Sequence, residues 1–173
     1  MALIVETGAG LANAESYASV AAADSYFAKL GSRADLWDAV DDKDAALRGA
    51  TQYMEQTYRL MWSGTRNTDA QALSWPRADA RSSDKWNYYA NNVVPTEVVV
   101  ACCELALEWN TASGLLIQSL GPEVASESVS GAVSVTYRAG STRQITYWAA
   151  ERLLQPLFAN SSGTRYSGSV SRA

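Results

Sequence analysis

The segment PTEVVVACCELALEWN, residues 95–110, constrains this chain more than any other stretch. Pro95 suits the opening of a helix, where its missing N–H leaves no bond unmade. Val98, Ala101, Cys102, Leu105 and Trp109 then fall on one helical stripe, and Val99, Cys103 and Ala106 on a second. A helix that is apolar on two faces belongs at the centre of a bundle, with partners on both sides.

The rest of the chain offers those partners. Ser19 is a good N-cap for a helix over 20–30, which Gly31 stops. Over 42–59, with Asp41 or Asp42 as the cap, Leu47, Ala50, Met54 and Tyr58 repeat at helical spacing, and Ala46 and Tyr53 widen the stripe. Residues 142–158 predict a last helix with Ile145, Ala149, Leu153, Leu154, Leu157 and Phe158 on its apolar face, kinked or ended by Pro156. Between the third and last helices the period changes to that of a strand. Val133, Val135 and Tyr137 alternate with Ser134, Thr136 and Arg138, and Ser130-Gly131 is placed for a turn back to a strand over 124–129. Residues 2–6 read as a short strand or extended arm.

The prediction is a mainly α domain over 1–158, a small helical bundle of about four helices with a β-hairpin insertion near 123–138. A long irregular loop over 60–92 and an extended, Ser/Gly-rich C-terminal tail over 159–173, ordered by a partner, complete it. Its 173 residues are enough for one core, and 47% hydrophobic with 18% charged residues excludes a disordered chain. No apolar run is long enough to span a bilayer, and no secretory signal is visible, so synthesis and retention in a cytoplasm are expected.

Most chemistry is excluded by residue type. The chain has no histidine, which removes the commonest general base and the usual partner of a Ser or Cys nucleophile. Gly8-Ala9-Gly10 follows a strand-like run, but Asn13 stands where a dinucleotide fingerprint needs its third glycine, so a turn is expected. The aspartates of 35–44 suit helix caps better than a cation site. Glu97, Glu104 and Glu108 share a helix face, expected to be solvated or inter-subunit. The vicinal Cys102-Cys103 predicts two buried, reduced thiols. No enzyme, cofactor or metal is expected.

What remains is aromatic. KWNYYANN, residues 85–92, with Arg77, Arg81 and Lys85, gathers Trp86, Tyr88 and Tyr89 among cations. Single-stranded nucleic-acid binders use such stacking platforms, and protein–protein hot spots use the same residue types. A net charge of −4 favours the protein partner, because DNA affinity comes largely from Lys and Arg on phosphates. The charge is uneven, with nine acids against four bases in residues 1–58. Just upstream, Trp75-Pro76-Arg77 predicts a structural rivet. Pro76 fixes φ and holds Ser74-Trp75 extended, Trp75 buries its ring to anchor the loop, and Arg77 points outward to a carboxylate of the 96–110 helix or a neighbouring subunit.

The opening MALIVETGAGLANAESYASVAAADSYFAKLG, the motif ALSWPRADA after GTRNTDAQ, the helix VVPTEVVVACCELAL and the late YWAAERLLQPLF together resemble a family of tailed-bacteriophage proteins. The resemblance spans nearly the whole domain and stops at the tail. Members are labelled DnaT-like single-stranded-DNA-binding proteins, and similar small helical proteins are head–tail connectors, or adaptors. The resemblance implies a structural adaptor in the virion, a ring of about twelve identical subunits joining the portal protein to tail or nozzle proteins around passing DNA. Arg77, Arg81, Trp86, Tyr88, Tyr89, Arg165 and Tyr166 would be its partner-binding residues, the last two for the portal. The alternative is single-stranded-DNA binding through the 77–89 platform.

Overall fold

In a computed structural model of the protein, the described residues are 2–83, 86–111, 119–129, 133–144 and 147–159. Among them five α-helices and a two-stranded hairpin make a mainly helical fold. The helices are α1 (Val20–Phe27), α2 (Ser32–Asp38), α3 (Lys43–Tyr58), α4 (Thr96–Thr111) and α5 (Trp148–Leu154). Two short strands, β1 (Thr65–Arg66) and β2 (Arg77–Ala78), pair within the long loop. The hairpin is β3 (Ser119–Val129) and β4 (Val133–Gln144).

α4 is the centre that its two apolar stripes require. From Ala101 to Leu107 every residue is buried, and α4 packs against both α3 and α5. α3 starts where its cap dictates, with Asp42 Oδ1 accepting the Ala45 N–H at 2.8 Å. It buries Leu47, Ala50, Met54 and Tyr58. Gly49 stands inside this helix although glycine there costs about 1 kcal/mol against alanine. The reason is close approach, since an added Cβ would lie 2.3 Å from the Trp109 ring of α4. Cys102 and Cys103 are buried and unbridged. Burial pushes both thiols above their ordinary pKa, which makes them inert packing groups.

At the N-terminus an extended arm pairs beside residue 16, through a parallel bridge from Val5 to Ser16. The glycine turn follows, and its geometry is specific. Gly8 and Gly10 take φ of 99° and 73°, which glycine tolerates best. Their N–H groups reach Glu6 Oε1 at 2.8 and 3.0 Å, and the Leu11 N–H reaches Oε2 at 2.8 Å. The turn is a nest of backbone donors closed around the chain's own carboxylate. A Cβ on Gly8 would also strike the Asn92 carbonyl oxygen, at 1.9 Å.

Four expectations need correction. The first helix ends at Phe27, and a separate α2 follows after Gly31. α2 is held by Trp37, which is buried against Phe27 with ring centroids 5.1 Å apart and donates from Nε1 to Asp24 at 2.7 Å. The hairpin is longer than 123–138, because Thr142 pairs with Pro122 and Gln144 with Ser119. That pairing takes 142–144 from the last helix, so α5 begins only at Trp148. Pro156 then converts the chain into a 3-10 turn, Gln155–Leu157. Finally, Glu104 is not on a solvated face. It is 5% exposed, accepting from Arg33 Nη1 at 3.1 Å, from Arg33 Nη2 and from the Tyr26 hydroxyl. The Ser130-Gly131 turn and the tail residues 160–173 lie outside the described residues.

The Glu104 cluster has a pH signature. Burial, then the hydrogen bond and charge of Glu104, push the Tyr26 phenol from 10.0 to about 12. A group whose folded pKa is raised contributes fully below its unfolded pKa and loses that contribution as pH rises through the folded one. Unfolding free energy is therefore expected to fall between pH 10 and about 12. Urea denaturation across that range should show a shallower fall in Tyr26→Phe. A slope identical to that of the unaltered protein would contradict this account.

Candidate functional site

The loop over 60–92 is irregular, yet it is tied down at nearly every turn. Glu55, on the last turns of α3, accepts from the Ser74 N–H at 3.0 Å, from Ser74 Oγ at 2.7 Å and from the Tyr17 hydroxyl. Tyr17 Oη in turn accepts the Trp75 N–H at 3.2 Å. Gln71 Nε2 bonds the carbonyls of Leu73 and Pro76 at 2.8 and 3.0 Å. The Trp75–Pro76 peptide is cis. The Trp75 indole is fully buried, edge-to-face with Trp62 at 5.9 Å and with Tyr89 at 6.1 Å.

Arg77 does not point outward. Its guanidinium is buried and donates to three backbone carbonyls: Nε to Ser63 at 2.8 Å, Nη2 to Gly64 at 2.7 Å and Nη1 to Ser74 at 3.2 Å. Burial pulls its pKa below the ordinary arginine value. The turn at 63–64 and the strand at 74–77 each present carbonyls that the β1–β2 pairing leaves over, and one planar fork satisfies both. Arg77 thus joins the rivet and is no partner contact.

The rivet carries a small second ribbon. The Tyr89 N–H donates to the Ala80 carbonyl at 2.9 Å, and Arg81 bridges antiparallel to Tyr88. Side chains alternate across such a ribbon. Tyr89 therefore turns in, onto Trp75, with its hydroxyl donating to Glu97 Oε1 at 3.1 Å. Tyr88 turns out and is 64% exposed, Trp86 is 91% exposed, and Arg81 is exposed beside them. Of the expected cluster, Arg81, Trp86 and Tyr88 share this outer surface, whereas Arg77 and Tyr89 support it from within. Lys85, Arg165 and Tyr166 lie outside the described residues.

The chain's acidity sits elsewhere. Residues 59–173 hold ten bases and nine acids, so the excess of acid belongs to residues 1–58. Asp24 and Asp38 pair with Lys43 at 2.9 and 3.6 Å, at the start of α3. Sixteen helical residues separate that end from Arg59, a rise of about 24 Å. Ser63, next beyond, accepts the Arg81 N–H at 3.3 Å. Fields between exposed charges fade over about 8 Å at physiological salt, so the aspartates do not set the potential at Arg81. Among the described residues no three His, Cys, Asp or Glu side chains gather to hold a metal ion.

Sequence reasoning missed the Glu6 nest, the Glu55–Tyr17 clamp and the inward turn of Arg77. An acid ahead of Gly-x-Gly is a readable hint of the first. The other two depend on chain crossings that no local pattern reveals.

A family model described as "Putative DnaT-like ssDNA binding protein" matches residues 1–173, the whole chain. No curated protein and no solved structure matches it. The match overturns the head–tail connector expectation in favour of its alternative. The ring of identical subunits, the portal and tail partners and the passive relation to DNA fall with it.

Proposed function

We propose that this chain, which belongs to the family of DnaT-like single-stranded-DNA-binding proteins, binds single-stranded DNA through Arg81, Trp86 and Tyr88, without catalysis. The observation that carries the reading is two large aromatic rings left exposed beside a cation, on a ribbon anchored by a fully buried tryptophan. Every base has a π face, so exposed indole and phenol rings accept bases with little regard to sequence. Arg81 supplies the phosphate contact that affinity for a strand requires. A platform held rigid by Trp75, Tyr89 and Arg77 loses little entropy on binding.

Fluorescence titration with an oligothymidine at several salt concentrations tests this. Trp86→Ala and Tyr88→Ala are each expected to cost about 1–3 kcal/mol of binding. Arg81→Ala should reduce the slope of log K against log salt by about 0.7. Affinity unchanged in all three variants, or no binding at low salt, would sink the proposal. Denaturation midpoints should stay within about 0.5 kcal/mol of the unaltered protein, since all three residues are exposed.

A further inference from the structure

A second aromatic–cation pair lies on the surface next to this platform. Leu60 and Met61, just past α3, are exposed, Leu60 to 97%. Trp148, the first residue of α5, is 63% exposed, and the Arg152 guanidinium stands 5.5 Å from its ring centroid. The two residues are four apart on one helix and so share a face. With Gln155 and Phe158 they line an open groove of about 470 Å³. Exposing two large apolar side chains and an indole together costs solubility and contributes nothing to the core.

The groove is physically continuous with the platform. The Ser83 N–H, between Arg81 and Tyr88, donates to the Pro156 carbonyl at 2.7 Å. The Ser63 N–H donates to Leu157 at 2.9 Å, and the Ala159 N–H to Met61 at 2.8 Å. The segment 155–159 is thus the strip of backbone that separates the ribbon from the groove and is bonded to both sides. Three exposed cations, Arg59, Arg81 and Arg152, lie along this surface, with Glu151 the acid among the groove's lining residues. A strand that stacks bases on Trp86 and Tyr88 needs, at its next contact, another aromatic face beside another cation. Trp148 with Arg152 is that combination, over an apolar floor of Leu60 and Met61.

We infer that the groove is a second stacking station for the same DNA strand, with Trp148 receiving a base and Arg152 a phosphate. The inference rests on the single-stranded-DNA reading and extends its binding path across the 155–159 strip. It predicts that affinity grows with oligonucleotide length and that this growth depends on Trp148.

The full chain and its variants are titrated with oligothymidines of about 4 and about 16 nucleotides, which bracket known single-strand site sizes. Trp148→Ala is expected to weaken the longer oligonucleotide about 5- to 100-fold and so to remove most of the gain with length. Photocrosslinking of a 5-iodouracil 16-mer to the unaltered protein should label Trp148, a readout that does not depend on how a variant folds. Trp148→Ala affinity within about twofold of the unaltered protein, without a crosslink there, overturns the inference while a loss in Trp86→Ala keeps the platform reading. If Trp148→Ala instead abolishes self-association in sedimentation and leaves DNA affinity intact, the groove is a contact between copies and the inference fails. No binding of either oligonucleotide overturns both readings.

Discussion

Trp75→Ala is expected to lower the unfolding free energy by about 3–5 kcal/mol, the cost of emptying a large aromatic site in a packed core. The indole is completely buried between Trp62 and Tyr89. Both neighbours are held from elsewhere, Tyr89 through Glu97 and Trp62 through a backbone bridge to Phe158, so neither can collapse into the space. Trp75→Phe separates packing from polarity. Among the described residues the Trp75 Nε1–H has no hydrogen-bond partner, and an unpaired buried donor costs about 1–3 kcal/mol. Phenylalanine removes that donor together with part of the ring, so its net cost should be under about 1.5 kcal/mol. Urea denaturation measures both. A loss below about 1 kcal/mol in the alanine variant would show that the loop does not depend on this ring. Tyr89 rests on Trp75, and the ribbon bearing Trp86 and Tyr88 rests on Tyr89. Weaker DNA binding is therefore expected in Trp75→Ala, although Trp75 itself touches no strand.

The parts of the fold that were legible are those fixed locally. α3 and α4 follow from an aspartate cap, a leading proline and long apolar repeats, and both are found within a residue or two of their expected bounds. α2 was not legible. SRADLWD carries one apolar stripe of two residues, and the segment is helical because Trp37 has Phe27 to pack on. The start of the last helix was misplaced for a similar reason. Thr142 and Gln144 carry no strand pattern, and only their partners Pro122 and Ser119 draw them into β4. That same error hid Trp148. Within a long helix it falls outside the apolar face, whereas at the head of a short one it stands exposed over Arg152. The acidity of the chain, which argued against DNA, is a property of residues 1–58 and not of the surface around Arg81.

Arg77 shows most clearly what a sequence withholds, and its substitution discriminates between the two roles open to it. An arginine after Trp-Pro has the same local pattern whether it meets a phosphate or a buried carbonyl. Its three acceptors, at Ser63, Gly64 and Ser74, come together only when β1 pairs with β2. Hydrogen bonds from a charged donor are worth about 1.5–3 kcal/mol each, and two of the three are short. Arg77→Met is therefore expected to destabilise the protein by about 3–5 kcal/mol, with the turn at 63–64 released from residue 74. Arg77→Lys is the sharper test. A phosphate contact tolerates lysine, because a point charge suffices there. A three-pronged planar fork does not, so the lysine variant should lose most of the stability that methionine loses, by urea denaturation. Lysine should leave the salt slope of DNA binding unchanged, since Arg77 neutralises no phosphate in this geometry. A stable Arg77→Lys protein with a reduced salt slope would move Arg77 to the DNA surface and contradict the buried fork.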